Sequence, residues 1–384
     1  MRIAIDDFNQ ETACRPKNLL TASVALLQGY GTPSEPERQK ETEELPGAKN
    51  TNKPVIHLKN KISQVVDTCI DCPKCREECA FLERYGTPRA IIDAYTPEDP
   101  AFLRMAFECS LCGLCGSVCP VGLNPEEMFL EMRRAAVLSG KAPLEKYQRL
   151  LAYEKRGTSR RYTHYSLPEN CETVFFPGCA LSGTRPGKTL ALYNHLKILV
   201  PGIGIVLDCC CKPSRDLGRT GYFSAMLSEM KNFLTAHGIK RMVTACPNCH
   251  MVFATCGQPM EAISVYQVLA EKGLPPYSPA PNHSVVIHDA CVTRHDVAVQ
   301  DAVRKIARIK GLSLAEMPHN RRSTLCCGEG GGAGRMDAKL SGRWTARRKK
   351  EAAGRPLIAY CAGCTQTLKG KMPAFHIIDI PFDP

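Results

Sequence analysis

Short apolar runs recur along the chain from about residue 156 onward, and each ends at one or more cysteines. Runs rich in β-branched and aromatic residues predict short buried strands, and they alternate with stretches of helical periodicity such as 221–237. This alternation predicts βαβ units and parallel sheets, so the cysteines lie beyond the carboxyl ends of the strands, where such sheets bind ligands. The runs cover residues 173–176, 203–207, 241–244, 284–287 and 357–360, with Leu325 leading into a further cysteine pair.

The N-terminal part of the chain has a different pattern. Residues 31–52 are rich in Pro, Glu, Lys and Thr and nearly free of bulky apolar side chains, which predicts disorder. Further on, Asn124-Pro125-Glu126-Glu127 is a typical helix start, and residues 100–107 also fit a helix. We therefore predict an α+β protein in four parts. They are a disordered tail over 1–60, a helical module over 61–155, and α/β domains over 165–280 and 281–384.

The cysteine content changes this picture, because 22 cysteines in 384 residues far exceed ordinary usage. The start of the chain has no apolar signal core, since Asp6 and Asp7 follow at once, and no run is long enough to span a membrane. Many cysteines without secretory features indicate metal binding rather than disulfides. We expect a cytoplasmic protein, attached to a membrane through a partner subunit if it is attached at all.

Two cysteine runs lie within the helical module. Each reads C-x₂-C-x₂-C-x₃-C, and the second run is closed by Pro120. This spacing is typical of bacterial ferredoxins with two [4Fe–4S] cubanes, in which the fourth cysteine of each run ligates the other cluster. Zinc sites usually pair two C-x₂-C knuckles across a longer loop, so they fit poorly. The first four-cysteine set is predicted as Cys69, Cys72, Cys75 and Cys119, and the second as Cys79, Cys109, Cys112 and Cys115.

The α/β region repeats a second arrangement, consisting of one cysteine, a cysteine pair and a C-x₂-C. Five thiolates are one too many for an ordinary cubane, which indicates an irregular iron–sulfur centre or a conventional cluster with a spare cysteine. The first five-cysteine set is Cys179, Cys209, Cys210, Cys246 and Cys249. The second five-cysteine set is Cys291, Cys326, Cys327, Cys361 and Cys364.

The first pair is ambiguous because three cysteines are adjacent. The second pair, Cys326–Cys327, is followed by Gly328, whereas Cys211 follows Cys209–Cys210. The Lys-Pro that comes next favours Cys209–Cys210 as the ligands. The alternative, Cys210–Cys211, leaves a spacing to Cys246 closer to that of the second half, and it stays open.

These residues resemble the CCG, or cysteine-rich, domains of the heterodisulfide reductase family, over about residues 61–380. The resemblance implies a noncubane [4Fe–4S] centre at each five-cysteine set. A ferredoxin module followed by two CCG domains is similar to the D-type subunit of heterodisulfide reductase. It is also similar to the iron–sulfur subunits of glycolate oxidase, lactate dehydrogenase and anaerobic glycerol-3-phosphate dehydrogenase.

Two functions are compatible with this family. In the first, an anaerobic oxidoreductase passes electrons through two cubanes to the CCG centres, where a small disulfide is reduced. The second five-cysteine set, with its intact Cys-Cys-Gly, is then the expected catalytic site. In the second, the chain only transfers electrons from a flavoprotein dehydrogenase to quinone or cytochrome. The expected partners are a flavoprotein or reductase subunit and a membrane cytochrome b subunit.

The formal net charge of +12 counts every cysteine as neutral, although cluster ligands are thiolates. We therefore expect part of the excess of basic residues to be counter-charge to anionic clusters, and we expect no nucleic-acid binding. The dense basic run at 347–350 is either a solvated helix face or a docking site for an acidic partner. His250 and His288, beside ligand cysteines, are either packed histidines or hydrogen-bond donors to a cluster.

Overall fold

The computed structural model describes residues 53–94, 100–275 and 284–380. Its first helix, α1 (Lys53–Thr68), begins inside the stretch predicted as a disordered tail. Leu58 and Val65 of this helix are buried, so this stretch belongs to the helical domain. Residues 1–52 lie outside the described residues, and a disordered tail there stays a prediction.

The helical domain packs short helices around buried aromatic rings. Phe81 and Phe129 contact each other edge to face with centroids 5.0 Å apart, and Phe107 and Tyr147 are also fully buried. The helix starting at Pro125 begins where the sequence predicts, with proline at its first position. The helices after α1 are α2 (Lys74–Glu78), α3 (Ala80–Tyr85), α4 (Pro88–Asp93), α5 (Pro100–Met105), α6 (Leu114–Ser117), α7 (Pro125–Leu138) and α8 (Gln148–Gly157).

The first α/β domain is built on a five-stranded sheet with the order β1-β3-β2-β4-β5. Only the edge strand β1 pairs in an antiparallel manner. The strands are β1 (His164–Ser166), β2 (Thr173–Phe176), β3 (Gly204–Leu207), β4 (Arg241–Thr244) and β5 (Glu261–Ser264). The helices are α9 (Cys179–Thr184), α10 (Pro186–Leu199), α11 (Lys212–Asp216), α12 (Thr220–Ala236), α13 (Pro247–Cys256) and α14 (Val265–Lys272).

The second α/β domain has a four-stranded parallel sheet with the order β7-β6-β8-β9. This order repeats the β3-β2-β4-β5 part of the first sheet, which confirms the predicted parallel α/β repeat. The strands are β6 (Ser284–His288), β7 (Ser313–Ala315), β8 (Leu357–Ala359) and β9 (Ala374–His376). The helices are α15 (Val297–Ile309), α16 (Ala333–Met336), α17 (Ala338–Ala352) and α18 (Ala362–Lys369).

The two halves differ in how the chain reaches the cysteine pair. In the first half, β3 ends at Leu207, and only Asp208 separates it from the pair. In the second half, β7 ends at Ala315 and a loop with a short 3₁₀ turn (Arg321–Ser323) precedes Leu325, which lies outside any strand. This loop is fixed by the carboxylate of Asp289, which accepts the N–H of Arg321 at 2.7 Å.

Helix α17 joins the second α/β domain to the helical domain and corrects the interpretation of the basic run at 347–350. Trp344 and Arg348 on this helix are buried. Arg347 donates to the carbonyl of Glu78 at 2.8 Å and to its carboxylate at 3.0 Å. Arg347 thus pairs with an acidic group of the helical domain and Arg348 is buried, whereas Lys349 and Lys350 are exposed, so the helix face is only partly solvated.

None of the helices in the described parts of the chain combines the length and the apolar character needed to cross a bilayer.

Candidate metal centres

The first four-cysteine set lies near the protein surface. Cys69, Cys72 and Cys119 are partly exposed and Cys75 is buried. Burial, followed by the charges of Cys69, Cys72 and Cys119, raises the pKa of Cys75 to about 11. The structure therefore brings together three cysteines of the first run with the last cysteine of the second run. Ile70 borders this set with 63% of its surface exposed.

The second four-cysteine set is more deeply placed. Burial and the sulfur of Cys112 raise the pKa of Cys79 to about 12, and burial and Cys79 raise the pKa of Cys109. The pKa of Cys115 is raised by burial, then by Glu126, and then by the other three cysteines. The backbone N–H of Leu111 donates to the Cys109 sulfur at 3.4 Å. Thus Cys79, from the first run, lies with three cysteines of the second run.

The first five-cysteine set converges beyond the carboxyl ends of β2, β3 and β4. The Cys249 and Cys210 sulfurs are 3.4 Å apart. Gly178 approaches so closely that an added Cβ would lie 2.7 Å from Cβ of Cys246 and 3.0 Å from the Cys249 sulfur. Its φ of +81° also favours glycine. The glycine thus leaves the space beside these sulfurs open.

Cys211 occupies the position that Gly328 has in the second half. Both residues follow the cysteine pair with positive φ, +52° for Cys211 and +104° for Gly328. This correspondence favours Cys209–Cys210 as the ligand pair. Cys211 is nevertheless close, because its sulfur lies within 4.8 Å of the Cys209 sulfur and of a carboxylate oxygen of Glu154.

The second five-cysteine set converges in the same way. Cys291 and Cys327 donate hydrogen bonds that lower the pKa of Cys326 well below its usual range, and the N–H of Gly328 also donates to the Cys326 sulfur, at 3.2 Å. Cys364 in turn donates to Cys327, which raises the pKa of Cys364 and links the pair to the C-x₂-C. Gly330 packs against this site, where an added Cβ would lie 2.4 Å from the Ser110 carbonyl.

The four sets fit iron–sulfur clusters. The described cysteines are all free of disulfides. In each set, burial or a sulfur–sulfur hydrogen bond is the largest cause that raises the pKa of at least one thiol, and the repulsion between neighbouring sulfurs adds to it. Iron ions would remove that repulsion, and the glycines at two of the sites leave room that a Cβ would fill.

The second four-cysteine set adjoins the second five-cysteine set. Burial and the charge of Cys326 raise the pKa of Cys112. Arg294 bridges the two sets, since its guanidinium donates to the carbonyl of Cys112 at 3.0 Å and to that of Thr324 at 2.9 Å. Arg294 is 3% exposed and was not identified from the sequence, because its partners lie in distant segments.

The two five-cysteine sets also face each other. Helix α9, with Cys179, packs against α18, with Cys364, and α13, with Cys249, packs against the 3₁₀ turn at Cys291. The side-chain amide of Asn248 lies 3.8 Å from the Cys361 sulfur. The four elements therefore bring the two sets next to each other, and we call the region between them the gap.

Lys212 carries a positive charge at this gap. Burial disfavours its ammonium, but Asp216, to which it donates a hydrogen bond, and Cys291 together raise its pKa. A hydrogen bond from Cys249 lowers the pKa of Cys246 to about 7, and the charge of Lys212 adds to this effect. Lys212 thus interacts with sulfurs of both five-cysteine sets. The sequence marked it only as a residue that follows the first pair.

The two candidate histidines differ. The ring of His250 is held by the Thr244 hydroxyl at 3.1 Å and the Asp296 carboxylate at 3.2 Å, so it is a structural histidine. His288 is buried, and one of its ring nitrogens lies within 4.8 Å of the Cys327 and Cys364 sulfurs.

Two domain families match the chain. The family described as 4Fe-4S dicluster domain matches residues 65–123. The family described as cysteine-rich domain (CCG) matches residues 173–254 and again residues 285–369. Together the matches cover more than half of the chain, and they coincide with the helical module and the two α/β repeats.

Individual relatives are similar to the chain at low identity. An uncharacterized iron–sulfur protein of Methanocaldococcus jannaschii is 23% identical over 80% of this chain and 68% of its own length. The D-type subunit of the dihydromethanophenazine:CoB–CoM heterodisulfide reductase of Methanosarcina mazei is 25% identical over 58% of this chain and 62% of its own. EtfAB:quinone oxidoreductase of Syntrophomonas wolfei is 24% identical over 59% of this chain and 36% of its own length. The matches thus span between 36% and 68% of these relatives.

Proposed function

The chain is a CCG-domain iron–sulfur protein, and we propose that it is a subunit of an oxidoreductase complex. In this proposal, a small substrate disulfide is reduced at a site between the two five-cysteine sets. The four-cysteine sets would each hold a [4Fe–4S] cubane, and the five-cysteine sets would each hold a noncubane [4Fe–4S] centre. When bound, these clusters supply and accept single electrons. The remaining steps depend on residues of this chain.

The observation that carries the proposal is the shared gap between the two five-cysteine sets. The segments with Cys179 and Cys249 pack against those with Cys364 and Cys291, in a reciprocal arrangement. A disulfide has two sulfurs, and its cleavage consumes two electrons and two protons and yields two thiols. Two electron-donating sites that face one gap match this stoichiometry, whereas a simple electron relay does not require the facing arrangement.

Lys212 fits this chemistry as a charged group at the gap. Breaking a disulfide by two electrons first produces negative charge on sulfur, which an ammonium group stabilises. Asp216 keeps Lys212 charged and fixes its position. Asn248 adds an amide donor near Cys361. These two residues would orient the substrate and stabilise the leaving thiolates before protons arrive from solvent.

The electron entry point would be the first four-cysteine set. Its exposed neighbours Ile70 and Val121 form an apolar border at the surface, which suits contact with a flavoprotein or reductase subunit. From there the second four-cysteine set and Arg294 lead to the second five-cysteine set. A membrane cytochrome b subunit is the partner expected if the electrons come from or go to quinone.

A second candidate function is electron transfer without catalysis, which links a flavoprotein dehydrogenase to quinone or cytochrome. Burial of the five-cysteine sets favours it, since Cys209, Cys326 and Cys327 are each at most 3% exposed. A substrate would then have to enter through an opening of the gap, whereas electrons need no such opening.

Iron content tests the cluster assignment. Four four-iron centres correspond to about 16 iron atoms per chain in anaerobically purified protein. About eight iron atoms, with only cubane signals in electron paramagnetic resonance, would contradict the presence of centres at the five-cysteine sets.

Disulfide cleavage by the chemically reduced protein tests the catalytic assignment. The change Cys326→Ser should lower the rate with a small disulfide by about 100-fold or more while both cubane signals persist. Cys256→Ser is the matched control, because Cys256 lies outside all four sets and should be replaceable without effect. Activity that survives Cys326→Ser would leave electron transfer as the function.

A further inference from the structure

His288 is a buried imidazole without a hydrogen-bond partner. It ends strand β6 and is 1% exposed. Among the described residues, neither of its ring nitrogens has a hydrogen-bond partner. One nitrogen lies within 4.8 Å of the sulfurs of Cys327 and Cys364, two members of the second five-cysteine set. Buried polar groups in folded proteins are nearly always paired, so this ring requires a partner.

The ring of His288 can donate a hydrogen bond, because an imidazole carries at least one N–H in each of its protonation states. The sulfur ligands provide acceptors next to the ring, and a hydrogen bond to a sulfur of an iron–sulfur centre is a known influence on its reduction potential.

The first half lacks this group. Counting back from the single cysteine of each half, Phe176 occupies the position of His288. Phe176 is fully buried and packs edge to face on Phe253, with centroids 5.0 Å apart. His250, the histidine beside the first set, instead has both ring nitrogens in hydrogen bonds, with Thr244 and Asp296. A free imidazole donor is therefore specific to the second half within the described residues.

We propose that the imidazole of His288 donates an N–H to a sulfur of the iron–sulfur centre held by the second five-cysteine set. The bond stabilises the reduced, more negative form, so that the second centre accepts electrons more readily than it would without the donor. The inference rests on the proposed function, because it requires a centre at this set.

Redox titration followed by electron paramagnetic resonance tests the proposal. The signal of the second centre is defined as the one that Cys326→Ser removes. His288→Phe introduces the residue of the first half and should lower the midpoint potential of that signal. We expect about a tenfold lower ratio of reduced to oxidised centre at a fixed solution potential, as for the loss of one hydrogen bond to a charged acceptor. His288→Gln retains an N–H donor and should restore most of the ratio.

Labelling of the histidines with ¹⁵N supplies a measurement that does not depend on a variant. A weak ¹⁵N coupling in the second-centre signal, lost in His288→Phe, is expected for an N–H···S bond. A strong coupling, as for a nitrogen bound directly to iron, would overturn the proposal. His250→Gln is the control and should change neither the potential of the second centre nor this coupling.

The outcomes separate the two claims. A wild-type protein without any signal that Cys326→Ser removes would overturn both the proposed function and the role of His288. A second-centre signal whose potential is the same in wild type and His288→Phe, at equal iron content, would overturn only the role of His288.

Discussion

The two α/β domains share a strand order and a five-cysteine arrangement, but the polar groups around their sulfurs differ. The first half has Phe176, Pro177 and Cys211 where the second has His288, Asp289 and Gly328. In the second half, the carboxylate of Asp289 accepts hydrogen bonds from both terminal nitrogens of Arg304, each at 2.8 Å. Arg304 also donates to the carboxylate of Glu316. The duplication therefore retains the sulfur positions while the environment diverges.

The halves also differ in what they contact. The second set adjoins the cysteines of the helical domain through Arg294, whereas the first set meets the second set across the gap with Lys212. Electrons that enter at the first four-cysteine set would reach the second half before the first. Two copies of one fold therefore need not be redundant, since their positions relative to the proposed electron entry point differ.

The largest effect is expected from the residue that joins both halves to the helical domain. Arg133 is completely buried and donates to the carbonyls of Asp216 at 2.9 Å and Gly331 at 2.7 Å, in the segments that follow the two cysteine pairs. It also donates to the carbonyls of Ala106 and Cys109. Arg133→Met leaves these acceptors buried without donors and should lower the free energy of unfolding by about 3 kcal/mol or more.

Anaerobic urea unfolding followed by the fluorescence of Trp344 measures this change, because Trp344 is the sole tryptophan and lies at the domain junction. Arg104→Met is the matched control. Its side chain is partly exposed and pairs with the exposed Glu145 at 3.9 Å, so its loss should cost about 1 kcal/mol or less. Equal effects of the two substitutions would show that the junction does not depend on Arg133.

An exchange at the residue after each cysteine pair tests whether the halves are interchangeable there. At Gly328, an added Cβ would lie 2.8 Å from the Ser341 hydroxyl and 2.9 Å from its carbonyl oxygen, and φ is +104°. Gly328→Cys should therefore destabilise the protein by about 2 kcal/mol and remove about four iron atoms. Cys211→Gly should retain all iron, because Cys209 and Cys210 are the expected ligands.

Iron analysis and the urea midpoint are measured for both variants under the same anaerobic conditions. Loss of iron in Cys211→Gly would identify Cys210–Cys211 as the ligand pair and reverse the register. Retention of iron in Gly328→Cys would mean that the loop can move away from Ser341, and the two positions would then be equivalent.

The strands that lead into cysteines could be predicted from sequence, because they are runs of buried apolar residues. Strands β1, β5, β7 and β9 were missed, since each is three or four residues long and contains partly exposed residues. The basic run on α17 was misinterpreted for a different reason. Arg347 of this run pairs with Glu78, which lies more than 260 residues earlier in the chain. A local charge pattern does not reveal a contact between such distant segments.

The ligand sets could be proposed from spacing, because a metal centre constrains the local distances between cysteines. The groups around them could not. Arg133, Arg294 and Lys212 act through contacts between segments far apart in sequence. His288 was one of two similar candidates, and only the packed structure shows that His250 is paired and His288 is not.

The smallest effect concerns the ion network of the second half, which has no counterpart where Pro177 replaces Asp289. A hydrogen bond from Arg304 holds the pKa of Glu316 below its usual range. A lowered carboxylate pKa stabilises the fold above the unfolded value of about 4.3 and loses this contribution as the pH falls through the folded value. Because 41% of the Glu316 side chain is exposed, the contribution should stay below about 1 kcal/mol.

Glu316→Gln should therefore reduce stability slightly at pH 7 and leave it less dependent on pH below about pH 5 than in the wild type. Trp344 fluorescence in urea at pH 7 and near pH 4 measures the difference. Asp301→Asn is the control, since it removes a more exposed ion pair with Arg321 in the same half. It should change neither the stability at pH 7 nor the loss of stability near pH 4 appreciably. A wild-type and a Glu316→Gln protein that lose stability in parallel on acidification would show that other carboxylates govern the acid sensitivity of the second half.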